Sequence, residues 1–99
     1  MFLDDNNVKV IRVSSTTSVT ALTGSILNAL KDSNSVELRA MGAGALNQMY
    51  KSLAKANIAI SAKGLILFIR PGFDTVFEEK NGEKLEKTVL IARIVLRSC

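Results

Sequence analysis

The stretch Met41-Gly42-Ala43-Gly44-Ala45-Leu46-Asn47-Gln48 joins two segments of different periodicity. Residues 36–41 alternate between apolar and other side chains, which is typical of a half-buried strand. Residues 46–53 carry apolar side chains at helical spacing. The glycines therefore mark a strand-to-helix turn, and a helix that begins there directs free N–H groups and its positive dipole end outward, toward an anion if one is present.

Two interpretations of this turn stay open. Glycines also occur in short strand-to-helix connections for steric reasons alone. The dinucleotide-binding fingerprint of three spaced glycines is incomplete here, since Leu46 and Asn47 stand where the third glycine would be expected. No Lys-Ser or Lys-Thr pair follows, which excludes a nucleotide-hydrolysing phosphate loop. A tight turn without a ligand and a phosphate-contacting helix start are equal alternatives.

Size and composition favour one soluble domain. The chain has 99 residues, 47% hydrophobic and 22% charged, and no apolar run approaches the roughly 20 residues that cross a bilayer. We expect residues 1–7, which include Asp4 and Asp5, to form a flexible tail and residues 8–99 to form the domain. The acidic start is unlike a secretory signal, and the single cysteine, Cys99, points to a reducing compartment, so the predicted location is the cytoplasm, or the nucleoid if the source is bacterial.

Catalysis has little support in this sequence. Histidine is absent, which removes the usual general base, the commonest zinc ligand and every Ser-His or Cys-His nucleophile pair. The carboxylate pairs Asp4-Asp5 and Glu78-Glu79 fall in the tail and in a charged loop, where burial would not shift a pKa. We therefore expect no enzyme activity, no metal and no small-molecule cofactor.

The order of predicted elements is strand, helix, strand, helix, strand, strand. The first strand covers residues 8–13, and Thr17 or Ser18 caps a helix that ends near 31–34, with Gly24 inside it where close packing is expected. The second helix is predicted from about 44 to 57, followed by a return connection over 58–64.

The last two strands form a hairpin. Residues 65–69 are a continuous apolar run that predicts a strand buried on both faces, ended by Arg70-Pro71-Gly72, and residues 87–97 alternate as the final strand. Asn81-Gly82 predicts the hairpin turn of an arm at about 71–87. These elements predict an α+β fold in which two right-handed crossovers place both helices on one face of a four-stranded mixed sheet.

Charge divides the chain into a basic body and an acidic arm. Residues 71–87 hold five acids and three lysines, so the remaining ten bases and four acids give the body a net charge of +6. This asymmetry favours a polyanionic partner for the body.

Three segments together resemble a known family: Thr17-Ser18-Val19, the Gly42–Gln48 motif GAGALNQ, and Arg70-Pro71-Gly72-Phe73. Over about residues 8–97 the chain resembles the stage V sporulation protein S family, which is similar to the Alba superfamily of small nucleic-acid-binding proteins. The resemblance implies an Alba-like β-α-β-α-β-β two-layer sandwich, a homodimer, a DNA or RNA partner and, in bacterial members, a role in regulating sporulation. Alba proteins carry lysines where this chain has Ser14–Thr17, and the acidic arm and tail also depart from the pattern.

The predicted nucleic-acid contacts combine backbone amides, two side-chain amides and cations, which would recognise backbone and shape rather than base sequence. They are Lys9, Arg12, Arg39, Gly42, Ala43, Gly44, Ala45, Asn47, Gln48, Lys51 and Lys55. The alternative for Lys51 and Lys55 is a solvated helix face. The alternative function is a protein-interaction or regulatory module on the same fold without nucleic-acid affinity. Apolar Val89, Ile91 and Val95 on the outer face of the last strand suggest a covering partner, and Phe73 and Phe77 suggest packing between subunits.

Overall fold

A computed structural model describes residues 8–33 and 35–99, and the tail predicted at 1–7 lies outside them. The described chain forms, in order, β1 (Val8–Val13), α1 (Val19–Asp32), β2 (Ser35–Met41), α2 (Ala43–Ser61), β3 (Leu65–Lys80) and β4 (Glu83–Ser98). The strands make one mixed sheet in the order β1-β2-β4-β3, with β1 parallel to β2 and β4 antiparallel to both β2 and β3. The predicted α+β fold and its element order are confirmed.

Both helices pack against one face of the sheet. The core alternates along the central strands, and its sheet side consists of Val36, Leu38 and Ala40 from β2 and Ala92 and Ile94 from β4. The helices close it with Leu22, Ile26 and Ala29 from α1 and with Ala45, Met49, Leu53 and Ala56 from α2. Because side chains alternate along a strand, the intervening residues lie on the opposite face, which neither described helix covers.

The two helices begin at the same edge of the sheet. Since β1 and β2 are parallel neighbours, their carboxyl ends lie side by side, and α1 and α2 each follow one of these ends. Ser18 caps α1 as one of the two predicted caps, because its Oγ accepts a hydrogen bond of 3.3 Å from the N–H of Ala21. This shared edge brings together two helix N-termini that are 24 residues apart in sequence, at Val19 and Ala43.

The second helix is longer than the sequence suggested. A connection over 58–64 was the wrong interpretation of its last turn, because α2 continues to Ser61. Ile60, with 7% of its surface exposed, prolongs the buried stripe that contains Met49, Leu53 and Ala56. Ile58, by contrast, lies on the outer side of the helix.

The prediction that residues 65–69 are buried on both faces is also wrong. β3 is an edge strand, and Phe68 and Ile69 are 52% and 39% exposed. Nor does Pro71 end the strand, which runs on to Lys80. An edge strand has one side without a pairing neighbour, so a residue that lacks an N–H is tolerated there.

The hairpin prediction is confirmed. Asn81 and Gly82 have φ values of 54° and 79°, which is the left-handed pair of a tight two-residue turn, and Lys80 pairs with Glu83 beside them. The pairing of β4 with β2 extends only to Val89, so residues 75–88 form a two-stranded arm.

Gly24 does not mark a close contact. A Cβ built on Gly24 would meet no atom within 4 Å, so the expected tight packing at this position of α1 is absent. Nothing in the structure explains a glycine here.

Candidate nucleic-acid interface

The start of α2 presents backbone N–H groups without a side-chain cap. Gly42 is the N-cap residue, with φ 92° and ψ 159°, a backbone conformation that only glycine adopts readily. The first helical hydrogen bond is donated by Leu46 to the carbonyl of Gly42 at 3.0 Å, so Ala43, Gly44 and Ala45 precede the regular helix ladder. The first turn contains no acidic residue that would neutralise the dipole. Ala43 and Gly44 are exposed, whereas the Ala45 residue is buried in the core.

The loop after β1 packs directly on this helix start. A Cβ built on Gly44 would lie 2.8 Å from the Cβ of Ser15, and the Nε2 of Gln48 donates a hydrogen bond of 2.9 Å to the carbonyl of Thr17. Ser52 adds Oγ hydrogen bonds to the carbonyls of Val19, at 3.4 Å, and Gln48, at 2.8 Å. We call residues 14–18 together with residues 42–48 the turn surface.

Hydroxyl groups dominate the first half of the turn surface. Ser14 Oγ lies 3.0 Å from both Thr16 Oγ1 and Thr17 Oγ1, and the N–H of Ser14 donates to Thr17 Oγ1 at 2.8 Å. Ser14, Ser15, Thr16 and Ser18 are exposed. Hydroxyls and backbone N–H groups are common ligands of phosphate oxygens, so this loop supplies polar partners next to the start of α2.

The predicted side-chain contacts divide into three groups. Asn47 and Gln48 belong to the turn surface, but the Gln48 amide already bonds Thr17, and Asn47 Nδ2 donates to Gln48 Oε1 at 3.2 Å. Lys51 and Lys55 are exposed along α2 and form no ion pair with any residue of the described ranges. They continue the turn surface down the helix.

Lys9, Arg12 and Arg39 lie elsewhere. Lys9 pairs in register with Val36 on the helix face, toward the end of β1 that is remote from the turns. Arg12 and Arg39 are register partners on the face of the sheet that the helices leave uncovered. The structure therefore does not bring these three cations into the turn surface.

The helical layer is almost free of carboxylates. No acidic residue occurs from Val8 to Lys31 or from Leu38 to Phe73, which leaves Asp32 as the single acid of α1 and α2. Negative charge is instead concentrated in the arm, where Glu78 pairs with Lys87 at 3.2 Å. On the adjacent helices a polyanion at the turn surface would meet no carboxylate except Asp32, at the opposite end of α1.

Among the described residues, the buried carboxylate is that of Glu37, on the uncovered sheet face. Glu37, 6% exposed, accepts hydrogen bonds from Arg39 Nε at 2.7 Å and from Arg93 at 2.8 Å. Burial by itself would raise the pKa of Glu37, but the hydrogen bonds from Arg93 and Arg39 and their positive charges outweigh it, and the pKa lies below its ordinary value. The alternation of residues 36–41 leaves Glu37 on the outer side of the predicted strand and indicates no role for it.

Apolar side chains are exposed where α2 meets β3. Tyr50, Leu53, Ala54, Asn57, Leu67 and Ile69 line a shallow hollow of about 210 Å³. Around it, Leu46, Tyr50 and Ile58 of α2 are 37%, 67% and 71% exposed, and Phe73 of β3 is 71% exposed. We call these residues the α2–β3 face. This face was not predicted, because Ile58 was expected in a connection and Ile69 in a strand buried on both faces.

The sheet order and helix placement define an Alba-like fold. The chain is similar in structure to Alba from Thermoplasma volcanium, with a TM-score of 0.55, 10% sequence identity, and coverage of 90% of this chain and 99% of that chain. A model of the stage V sporulation protein S family matches residues 9–97, and the chain belongs to that family. The resemblance drawn from the GAGALNQ motif is thereby confirmed.

Within residues 8–33 and 35–99, no helix combines the length and the apolar character needed to cross a membrane. The same residues contain no group of three or more His, Cys, Asp or Glu side chains positioned to hold a metal ion.

Proposed function

We propose that this protein is a small homodimeric regulatory protein that binds DNA or RNA through its turn surface and the lysines of α2. One observation carries the proposal: the loop after β1 packs on the start of α2, with Gln48 bonded to Thr17 at 2.9 Å, and the helices around this contact lack carboxylates except Asp32. Two helix N-termini, exposed hydroxyls and uncapped amides thus converge on one acid-free edge.

Lys51 and Lys55 extend this edge with mobile positive charge. Gln48 and Ser52 face α1, while Tyr50 and Ala54 face β3, so Lys51 and Lys55 follow on the solvent side of α2, between these two sets of contacts. Phosphates held at the turn surface could therefore continue toward Lys51 and Lys55. Contacts of this type recognise backbone charge and shape and depend strongly on salt.

The α2–β3 face supports the homodimer. Monomeric proteins rarely expose large apolar patches, and Tyr50, Ile58 and Phe73 on this face are 67%, 71% and 71% exposed. Burying these side chains against a second copy would remove them from water, and the face shares only Leu46 with the turn surface, which otherwise stays open. Two turn surfaces per dimer would then bind one nucleic acid with a higher effective concentration than either alone.

A salt titration of binding tests the nucleic-acid function. Fluorescence anisotropy would follow binding of mixed-sequence duplex DNA and RNA between low and physiological salt. We expect affinity to fall steeply with salt, and the Lys51→Ala, Lys55→Ala double variant to bind more weakly with a shallower slope, by about one for each lost contact. The matched control is Lys80→Ala with Lys84→Ala, which removes the same charge from the arm and should keep the slope of the unaltered protein.

The arm favours a second candidate, a protein-interaction module without nucleic-acid affinity. Phe77 in the arm and Phe73 just before it are 63% and 71% exposed and project from the same side of β3. Together with the net acidic charge of the arm, they suit a basic protein partner. If neither DNA nor RNA forms a complex at low salt, the salt titration supports this candidate and contradicts the first.

A further inference from the structure

The arginines and lysines of this protein occupy different surfaces. The sequence contains five arginines, and the strand registers place all five on the sheet face that the helices leave uncovered. They are Arg12 on β1, Arg39 on β2, Arg70 on β3, and Arg93 and Arg97 on β4. Arginine differs from lysine in having a planar guanidinium that stacks on rings and binds phosphate with two parallel hydrogen bonds.

Two of these guanidiniums are held in place by Glu37. Its carboxylate binds Arg39 through Nε at 2.7 Å and Arg93 at 2.8 Å, and Arg39 also lies 3.9 Å from a carboxylate oxygen of Asp74. Each arginine has five N–H donors, so one bond to Glu37 leaves others available. Arg93 Nε is buried with no hydrogen-bond partner among the described residues.

The other three arginines carry uncompensated charge. Arg12, Arg70 and Arg97 make no ion pair within the described residues. With Glu37 and Asp74 as the opposing acids, five arginines and two carboxylates give this group a net charge of +3.

An exposed aromatic ring lies among these charges. Phe68, 52% exposed, is the register partner of Val95, with Arg70 two residues along its own strand and Arg93 and Arg97 diagonally opposite on β4. Side chains in these positions stand about 5–8 Å from Phe68 and lie within reach of one another. The sheet therefore interleaves a ring with cations, an arrangement that the linear sequence does not show.

We propose that the uncovered face of the sheet is a second nucleic-acid site, which binds single-stranded RNA or DNA by stacking bases on Phe68 and neutralising phosphates with Arg12, Arg70 and Arg97. Unpaired bases expose ring faces that stack on aromatic rings and on guanidinium planes. A duplex conceals these faces inside its stack. An acidic peptide lacks the aromatic base that each nucleotide of a single strand carries. The charge and the flat, ring-bearing surface together fit a single strand best.

Binding of a labelled oligo-U strand, with a mixed-sequence duplex for comparison, tests the site in the full-length protein. We expect Phe68→Leu, which keeps an apolar side chain but removes the ring, to weaken single-strand binding roughly tenfold and to leave duplex binding unchanged. Phe77→Leu is the matched control, because it removes an exposed ring from the arm, and it should have no effect. Arg70→Gln with Arg97→Gln should lower the salt slope for the single strand by about 1.4.

The outcomes separate this site from the turn surface. The Lys51→Ala, Lys55→Ala variant should retain single-strand affinity, so loss of duplex binding in that variant bears only on the function proposed above. Single-strand affinity that is unchanged in both the Phe68 and the arginine variants would overturn the second site. Polyglutamate that displaces the strand as well as unlabelled oligo-U does would overturn it in favour of an acidic protein partner.

A photo-crosslinking measurement requires no variant. A strand that contains 4-thiouridine should attach to the peptide that holds residues 65–70 or to the neighbouring part of β4. Crosslinks confined to residues 42–55 would contradict the second site, whatever the folding behaviour of the variants.

Discussion

A Cβ on Gly44 would lie 2.8 Å from the Cβ of Ser15, closer than side chains pack in folded proteins. The sequence left open whether Gly44 serves a steric purpose or allows close approach to an anion. The structure gives a steric reason for glycine at this position: Ser15, in a loop 29 residues earlier in the sequence, leaves no room for a side chain on Gly44. At Gly42 the reason for glycine is conformational, because its φ of 92° is one that other residues rarely adopt.

Gly44→Ala should therefore destabilise the protein by about 1–2 kcal/mol, because the loop at Ser15 must move away to admit the new methyl group. Gly44→Val should cost more, since it adds a larger, β-branched side chain. Urea unfolding followed by circular dichroism measures both effects.

Gly24→Ala is the matched control for this contact. A Cβ at Gly24 meets nothing within 4 Å, so alanine there should stabilise α1 by about 0.5–1 kcal/mol through helix propensity. In the Gly44→Ala background, Ser15→Gly should recover part of the loss because it removes the opposing Cβ. Equal stability of Gly44→Ala and the unaltered protein would show that the Ser15 contact does not constrain the turn.

Glu37 should make stability depend on pH in the acid range. Its pKa in the folded protein lies below the ordinary 4.5, so its ion pairs stabilise the protein fully above pH 4.5 and this contribution disappears as the pH falls through the lowered value. Glu37→Gln should lose about 2 kcal/mol at pH 7, because Arg39 and Arg93 lose a charged partner, and this difference should shrink toward pH 3.

The measurement is the urea midpoint of each protein between pH 7 and pH 3. Glu79→Gln serves as the control, because Glu79 is exposed and forms no ion pair with the described residues. A stability difference for Glu37→Gln that stays constant with pH would be inconsistent with the assigned ion pairs.

Asn57 should stabilise the edge of the sheet. Its Oδ1 accepts a hydrogen bond of 2.9 Å from the N–H of Leu67, which ties α2 to β3. Asn57→Ala should cost about 1 kcal/mol and accelerate hydrogen exchange at the Leu67 amide. Asn28→Ala, at an exposed position of α1 without a hydrogen bond to a described side chain, should change neither quantity.

Ile58→Glu should weaken the proposed dimer. Ile58 is 71% exposed on the α2–β3 face, so a charge there spares the monomer but would be buried without a partner in a dimer. Sedimentation velocity at several concentrations should show a shift toward monomer. Asn28→Glu places the same charge on α1 and should leave association unchanged; identical behaviour of both variants would place the dimer contact elsewhere.

Local signals in the sequence predicted most of the fold. The Ser18 cap, the glycine turn, the Asn81-Gly82 hairpin and the alternation of β2 each depend on neighbouring residues, and the structure shows all four. The end of α2 was missed because residues 58–61 were interpreted as a connection, and only the burial of Ile60 in the tertiary fold identifies them as the last turn of the helix. The exposure of β3 follows from its place at the sheet edge and, for Phe68, from the packing of both helices on the other face, which are properties of the tertiary fold and not of residues 65–69 themselves.

The candidate site was only partly predictable for the same reason. The amides at Ala43–Ala45 and the lysines of α2 follow from one continuous segment. The contact of Ser15 and Thr17 with that segment, and the gathering of five arginines on one sheet face, depend on chain segments that only the tertiary fold brings together.

The register of the arm allows its reach to change without rebuilding the body. From Thr75 and Thr88 outward, the described strands β3 and β4 pair only with each other, so residues can be removed or duplicated there in matched sets. Loss of two successive pairs, such as Phe77 with Glu86 and Glu78 with Leu85, keeps every remaining side chain on its own side of the ribbon. Each such step shortens the hairpin by about 7 Å, and evolution or design can therefore tune how far its tip extends while the sheet, helices and binding surfaces stay the same.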